Sequence, residues 1–400
     1  MARPERLAFV CPRWAGDGAA GGAETLLRSV AEHAAAAGCR VAFLTTCARD
    51  HFTWKNERPA GRQRIGALDV RFLPVDADRN PAQFLRLQSL ISLGHLVPAE
   101  TEQAWLRHSV NSQALLDHLR ENGADYDRIV AGPYLFGVVW RAALVHPHHT
   151  LLVPCLHDEP FARLGLMREL FGTVAGLLFN SEPERDLGRR LFGLPAERCH
   201  VVGMGIDPFE ADPAAFAIRR GLRAPYLLYS GRREGGKGTP LLCDYVHAFR
   251  ARTGRDVQLV FTGSGPIEAP PELRPHLVDL GYLSEAEKHA VMAGALAFAH
   301  PSALESLGIV LLEAFLARTP ALVNAWSAVL RWQCRRSGGG LWFRNYAEFE
   351  EALLFLLEHA DARRRMGEAG RAFVLREYAW DRVLQRFFRA LEHPAGGGAP

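Results

Sequence analysis

The sequence predicts an α/β protein made of two successive doubly wound parallel sheets, and three observations carry that prediction. Short apolar runs bounded by Gly, Pro or Asn alternate with longer segments of helical period, which is the pattern of buried parallel strands covered by helices on both faces. The rhythm pauses at "HVVGMGIDP", residues 200 to 208, and then begins again. The length of 400 residues suits two domains of roughly 100 to 200 residues each better than a single core.

Taken in order, the first set of strands is "RLAFVCP", "RVAFLTT", "DVRFLP", "RIVAGP", "TLLVPC" and "GLLFNS", with the helix "AETLLRSVAEHAAAAG" between the first two. The second set is "YLLYSG", "VQLVFTG", "LVDLG", "LAFAHP" and "PALVNA", each but the last followed by a helix-like segment. The expected boundaries are 1–205 for a first domain, 206–377 for a second, and 378–392 for a last helix packing back on the first. The tail "HPAGGGAP", 393–400, has nothing to pack with and is expected to be disordered.

Hydrophobic and charged fractions of 48% and 23% are those of a soluble globular chain. A formal net charge of +3 without a Lys/Arg block disfavours a nucleic-acid binder. No stretch reads as a secretory leader and none is apolar over about 18 residues, so a cytoplasmic protein that does not span a membrane is expected. Peripheral contact with the inner membrane face stays open, because a single amphipathic helix suffices for it. The seven cysteines show no C-x-x-C pair, so they are expected to be reduced, buried and free of zinc.

Four stretches could carry chemistry. "GDGAAGGAETLL" follows the first strand, ends in Gly21-Gly22 and opens a helix, where glycine lets backbone amides approach an anion. A flexible connection explains that loop equally well. "YSGRREGGKGTPLL" carries Arg232 and Lys237 between a strand end and a helix start near Thr239. Ligands of open α/β sheets bind beyond the carboxyl ends of the strands, so these cations are placed to neutralise a diphosphate; a solvated basic loop is the plain alternative. "PSALESLGIVLLEAF" puts Glu305 ahead of a helix starting near Leu307 or Gly308 and Glu313 about two turns further on, near enough to the same face to share a ligand. An ion pair or an exposed face is the alternative for Glu313, and a partner for the helix N-terminus the alternative for Glu305. "CLHDEP" sets His157 at a strand's carboxyl end, although a lone His is more often structural. The pairs Asp76/Asp78 and Asp125/Asp127 have metal-binding spacing but read as solvated loop carboxylates.

In their order along the chain, "GGAE", "HD" at 157 and 158, "FNSEPE", "VVGMGID", "SGRREGGKG", "FTGSGP", "LGYLSEAE" and "HPSALESLGIVLLEA" resemble glycosyltransferase family 4. The resemblance covers nearly the whole chain and implies a GT-B fold, two Rossmann-like domains facing a cleft, with the nucleotide sugar held by the second. It implies a retaining, metal-independent transfer of a hexose-type sugar from a UDP- or GDP-linked donor to a carbohydrate, lipid-linked or small-molecule acceptor, with no further cofactor. By the same resemblance Arg232 and Lys237 take the diphosphate, Glu313 the ribose, and Glu305 the donor sugar. Ser306, Leu307, Gly308 and Ile309, with Gly21 and Gly22, line the phosphates and sugar. His157 faces the reacting centre, and Tyr282 and Leu283 surround the base.

Departures from the family pattern are Arg318, where a glycine usually precedes Thr-Pro, and "NAWSAVLRW", which lacks a Gly-Gly pair and has Ala328 near the place of a glutamate. Trp54, Asn56 and Trp105 are open between acceptor contact and packing, with packing favoured. A sugar-nucleotide epimerase or phosphorylase on the same fold, and a degenerate non-catalytic binding protein, stand as alternatives.

Overall fold

The computed structural model describes residues 4–16, 21–222, 225–233 and 235–394. It resolves into two compact units: one runs to Gly205 and takes in the chain again from Trp380, and the other spans Ile206–Ala379.

In the first unit the strands are β1 (Arg6–Val10), β2 (Arg40–Thr46), β3 (Gly61–Ile65), β4 (Leu68–Leu73), β5 (Arg128–Ala131), β6 (Thr150–Leu152), β7 (Gly176–Phe179) and β8 (Cys199–Val201). They lie in the order β3-β4-β2-β1-β5-β6-β7-β8, and only β3 runs antiparallel, against β4. Leu7, Ala8, Phe9 and Val10 of β1 are all fully buried, so both faces of the central strand are covered. That explains why the strand reads as one unbroken apolar run. The sequence reading missed β3 and β8. β3 is "GRQRI", a polar, exposed edge strand in which the signal of burial is absent.

The second unit continues with β9 (Tyr226–Ser230), β10 (Gln258–Thr262), β11 (Leu277–Asp279), β12 (Ala297–His300), β13 (Ala321–Asn324) and β14 (Gly340–Phe343). Their order is β11-β10-β9-β12-β13-β14, parallel throughout. The winding reverses between β9 and β12, the place where open α/β sheets bind ligands beyond the carboxyl ends of their strands. Gly238 (φ 72°) keeps the β9 loop against the β12 loop, since a Cβ there would lie 2.7 Å from the Pro301 carbonyl oxygen.

Two expectations are corrected here. A helix, Ala328–Ser337, does follow "PALVNA": Ser327 caps it by accepting the Leu330 N–H, and Val329, Leu330, Gln333, Cys334 and Ser337 form its buried stripe. One tryptophan and three arginines interleaved with that stripe hid it. The tail is packed at its start, where the Pro394 carbonyl accepts the His200 ring N–H at 3.2 Å; residues 395–400 lie outside the described ones.

The last helix, Trp380–Glu392, packs within the first unit: Phe387 stacks on Phe9 of β1, and Trp380 stacks on His33 of the first helix, Gly22–Ala36. Gly205 closes on Trp380 so tightly that a Cβ would meet the ring at 2.2 Å. In the second unit Ile206 donates its N–H to the Tyr378 carbonyl, so the outgoing and returning chain are bonded side by side. All seven cysteines are buried, and none of them forms a disulfide. Among the described residues no helix is long and apolar enough to cross a membrane.

Arg318 ends the helix Ile309–Leu316 with φ 59°. Its N–H reaches the Phe315 carbonyl and that of Thr319 the Ala314 carbonyl, a Schellman closure whose left-handed position normally takes glycine. Arg318 is held there by ion pairs to Glu210 (3.0 Å) and Glu368 (3.1 Å). A left-handed non-glycine residue costs about 1–2 kcal/mol, while exposed pairs each return about 0–1 kcal/mol. Arg318→Ala should therefore be less stable than the parent in urea unfolding, because it keeps the strain and loses the pairs. Arg318→Gly should be no less stable than the parent.

Candidate active site

At the reversal point of the second unit, the loop leaving β9 is fixed by a residue the sequence reading passed over. Arg233 is buried, donates to the Gly265 carbonyl, and makes a two-pronged contact with Asp279 at 3.1 Å on each arm. Its neighbour Arg232 is half-buried, with its carbonyl accepting the Tyr229 hydroxyl. Lys237, further along, donates to Glu305 Oε1 at 2.7 Å. Two candidates 68 residues apart in sequence thus meet across the crevice between β9 and β12.

His300, the last residue of β12, lies under this pair with Nε2 3.7 Å from Glu305, and its Nδ1 is buried with no hydrogen-bond partner. Burial drives its pKa down, Glu305 opposes that and Lys237 reinforces it, which favours the neutral ring.

The helix Ile309–Leu316 begins one residue later than the sequence indicated, behind Gly308 in the left-handed region (φ 73°) and with no side chain capping it. Leu307 is buried and its carbonyl accepts Gln333 Nε2, which ties the loop containing Ser306 to the following helix. Glu305 lies in the loop, so it shares no helical face with Glu313. Each carboxylate has its own cation: Glu313 Oε1 is 3.0 Å from Lys288, which also meets Glu285 at 2.9 Å. Glu313 Oε2 is buried and unpartnered. Burial pushes the Glu313 carboxyl up and Lys288 pulls it back. Burial also works against the Lys288 ammonium, but Glu313 and Glu285 outweigh it and hold the charge. Past β11, Tyr282 is 63% exposed with its hydroxyl donated to Ser264 Oγ, and Leu283 beside it is half-buried.

In the first unit, His157 follows β6 with Nδ1 3.7 Å from Glu159, which also accepts the hydroxyl of buried Tyr134 at 2.9 Å. The strand end before it is shaped by Glu184, whose oxygens accept the N–H groups of Leu156 (2.6 Å) and Asn180 (2.5 Å). Cys155, just before Leu156, takes φ 52°. Gly21 precedes the helix that Gly22 opens, and that helix's Glu24 is buried against Arg13 at 3.1 Å. Residues 17–20 of the glycine-rich loop lie outside the described ones.

Trp54 and Trp105 are buried core residues, while Asn56 is exposed and pins both the N–H and the carbonyl of Val75. The acidic pairs are not simply solvated. Asp76 accepts the Gln113 N–H at the start of a helix, and Asp127 accepts those of Glu5 and Arg6 at 2.7 and 2.9 Å.

Two α/β units on doubly wound sheets, with cations and carboxylates collected at a strand reversal in the second, are the architecture of the GT-B fold. Residues 20–209 match the family model described as Glycosyltransferase Family 4, and residues 214–373 that described as Glycosyl transferases group 1. The chain is 30% identical to alpha-D-kanosaminyltransferase of Streptomyces kanamyceticus over 68% of its own length and 73% of the relative's. It is also 30% identical to a phosphatidyl-myo-inositol mannosyltransferase of Mycobacterium leprae, over 65% and 70% respectively. Solved structures of like fold include a sucrose-phosphate synthase from Thermosynechococcus elongatus (TM-score 0.70, 18% identity, 97% and 99% covered). Anabaena HepE in complex with UDP and glucose is another (TM-score 0.68, 15% identity, 97% and 99% covered). The chain belongs to glycosyltransferase family 4 and is a glycosyltransferase.

Sequence reasoning had no signal for His300, Lys288, Glu159, Tyr134 or Arg233, because what distinguishes each is a partner from a distant segment. Glu184 lay inside "FNSEPE", where Ser181 three residues earlier marks a helix cap, but its burial was invisible. Burial pushes the Glu184 carboxyl up to about 8 while the backbone amides resist. A carboxyl with a raised folded-state pKa contributes most below its ordinary value, and that contribution is lost as pH climbs through the folded value. The unfolding free energy in urea should therefore fall between pH 5 and pH 8, and Glu184→Gln should flatten that slope.

Proposed function

We propose that this enzyme is a retaining, metal-independent hexosyltransferase that takes its sugar from a UDP- or GDP-linked donor bound by the second unit. The observation carrying the reading is the Lys237–Glu305 contact at the β9/β12 reversal, which sets a cation and a carboxylate side by side at the crevice where such sheets bind ligands. Lys237, assisted by Arg232 and the amides at the start of the helix Ile309–Leu316, stabilises the charge that grows on the departing diphosphate. Glu305, next to the cation, accepts from hydroxyls of the sugar. Glu313 offers its unpartnered Oε2 to a ribose hydroxyl, since a buried acceptor without a donor is costly until a ligand supplies one.

The glycosyl–phosphate bond breaks as the acceptor hydroxyl approaches the same face, and the leaving phosphate takes the hydroxyl proton. Configuration is then retained without the paired carboxylates of glycoside hydrolases. His157, steadied by Glu159, is assigned to the reacting centre, and Gly21 and Gly22 to a phosphate or sugar contact. Tyr282 and Leu283 are assigned to the base. The acceptor is a carbohydrate, lipid-linked or small-molecule hydroxyl. Similarity to both an alpha-D-kanosaminyltransferase and a phosphatidyl-myo-inositol mannosyltransferase supports that range. The enzyme is proposed to work in the cytoplasm, with peripheral membrane contact for a lipid-linked acceptor.

A thermal-shift panel of UDP, GDP, UDP-glucose and GDP-mannose in the presence of a chelator tests the reading, because a ligand of the folded state alone raises its stability. One base series should stabilise the protein with the chelator present, and the Arg232→Ala/Lys237→Ala double variant should lose that shift and transfer together. Undiminished transfer by the double variant would sink the proposal. Glu313→Gln should weaken nucleotide binding about tenfold, the scale of one hydrogen bond to a charged group, with the apo unfolding midpoint preserved.

A further inference from the structure

We propose that Trp326 is the platform on which the pyranose ring of the donor stacks, a contact that selects for the sugar rather than for its nucleotide. The proposal rests on the donor-binding reading of the second unit. Trp326 is 72% exposed, whereas the other seven tryptophans are buried or half-buried. A single exposed apolar side chain is ordinary on a protein surface, so exposure alone carries nothing. What carries the inference is where the indole sits and how firmly its backbone is held.

Trp326 lies in the three-residue connection between β13 and the helix Ala328–Ser337, at the carboxyl end of the sheet. β12 and β13 are neighbours in parallel register, with His300 opposite Val323, so this connection runs beside the start of the loop that carries Glu305. Asn324 ties the two together. Its Nδ2 donates to the Pro301 carbonyl at 2.8 Å, and its Oδ1 accepts the Trp326 N–H at 3.0 Å. On the other side, Ser327 caps the next helix through the Leu330 N–H. Leu330 in turn closes on Gly308, where a Cβ would lie 2.7 Å from its Cδ2, and Gln333 reaches the Leu307 carbonyl. Both ends of the connection are therefore anchored to the Pro301–Gly308 loop. The exposure of the indole is built in and does not come from a loose chain end.

A pyranose ring is amphipathic, with hydroxyls at its rim and C–H groups on its faces. Glu305 and Lys237 supply polar contacts for the rim. An indole face, electron-rich and apolar, suits the C–H face. A nucleoside diphosphate without its sugar has no pyranose to place there. This chain puts Trp326 in the segment where its family usually has a Gly-Gly pair and only backbone to offer, so the contact is a specialisation of this sequence.

Quenching of tryptophan emission by acrylamide, measured on the full chain with UDP, GDP, UDP-glucose or GDP-mannose, tests this directly. The sugar nucleotide of the accepted base should shield the exposed tryptophan, and the matching nucleoside diphosphate should not; Trp326→Phe should abolish the difference in quenching. Trp326→Ala should weaken sugar-nucleotide binding about tenfold, as expected for loss of one aromatic contact, and leave the nucleoside diphosphate affinity unchanged. Equal shielding by nucleotide and sugar nucleotide would overturn the platform, as would a Trp326→Ala effect confined to the acceptor KM. Failure of all four ligands to bind the parent protein would remove the donor reading itself, an outcome distinct from the first two.

Discussion

The contact between Lys237 and Glu305, 2.7 Å long and spanning the reversal between β9 and β12, is the constraint around which the second unit's site is arranged. Both side chains are mostly withdrawn from water, at 32% and 14% exposure. At an effective dielectric near 20 their attraction is about 6 kcal/mol, and desolvation of the two charges cancels most of it. What survives is geometry. The pair holds two loops from strands that the sequence separates widely, and it keeps a cation in the crevice with a hydrogen-bond acceptor beside it. A donor that brings a diphosphate and a sugar offers each partner a replacement for the other, so exchanging the pair for the ligand need not strand a charge.

The same logic recurs nearby with different effects. Lys288 neutralises Glu313 through one oxygen and leaves the other buried and unfilled, an unpaid cost that a ligand hydroxyl can relieve. Arg233 and Asp279 are satisfied by each other, and Arg233 is buried beneath its loop, so this pair serves as a brace and not as a site. Arg13 and Glu24 do likewise in the first unit. Charge type alone therefore does not separate a candidate binding residue from a structural one.

Much of the architecture was legible because buried parallel strands are continuous apolar words punctuated by glycine, proline or asparagine. β1, β5, β9 and β12 announce themselves in this way. β3 was not legible, since an exposed edge strand needs no apolar pattern, and the helix Ala328–Ser337 was obscured by three exposed arginines and a half-buried tryptophan. The candidate site was legible in part. Arg232, Lys237, Glu305 and Glu313 stand out by position after strands, but the pairing of Lys237 with Glu305 and of Lys288 with Glu313 was not, because each joins segments far apart in the chain. The strain at Arg318 could be anticipated from a missing glycine, and the left-handed backbone there is its physical counterpart.

By itself the sequence determined what is encoded locally: the periods of strands and helices, the restart of the α/β rhythm near residue 205, and the order of motifs that marks a family-4 glycosyltransferase. These follow from side-chain volume, polarity and backbone preference over a few neighbouring residues. Only the tertiary structure decided which charges are neighbours, that His300 sits buried beneath Glu305, and that Trp326 is presented on anchored backbone beside the same loop. Those facts depend on parallel strand order, which brings together loops that the chain itself keeps tens of residues apart.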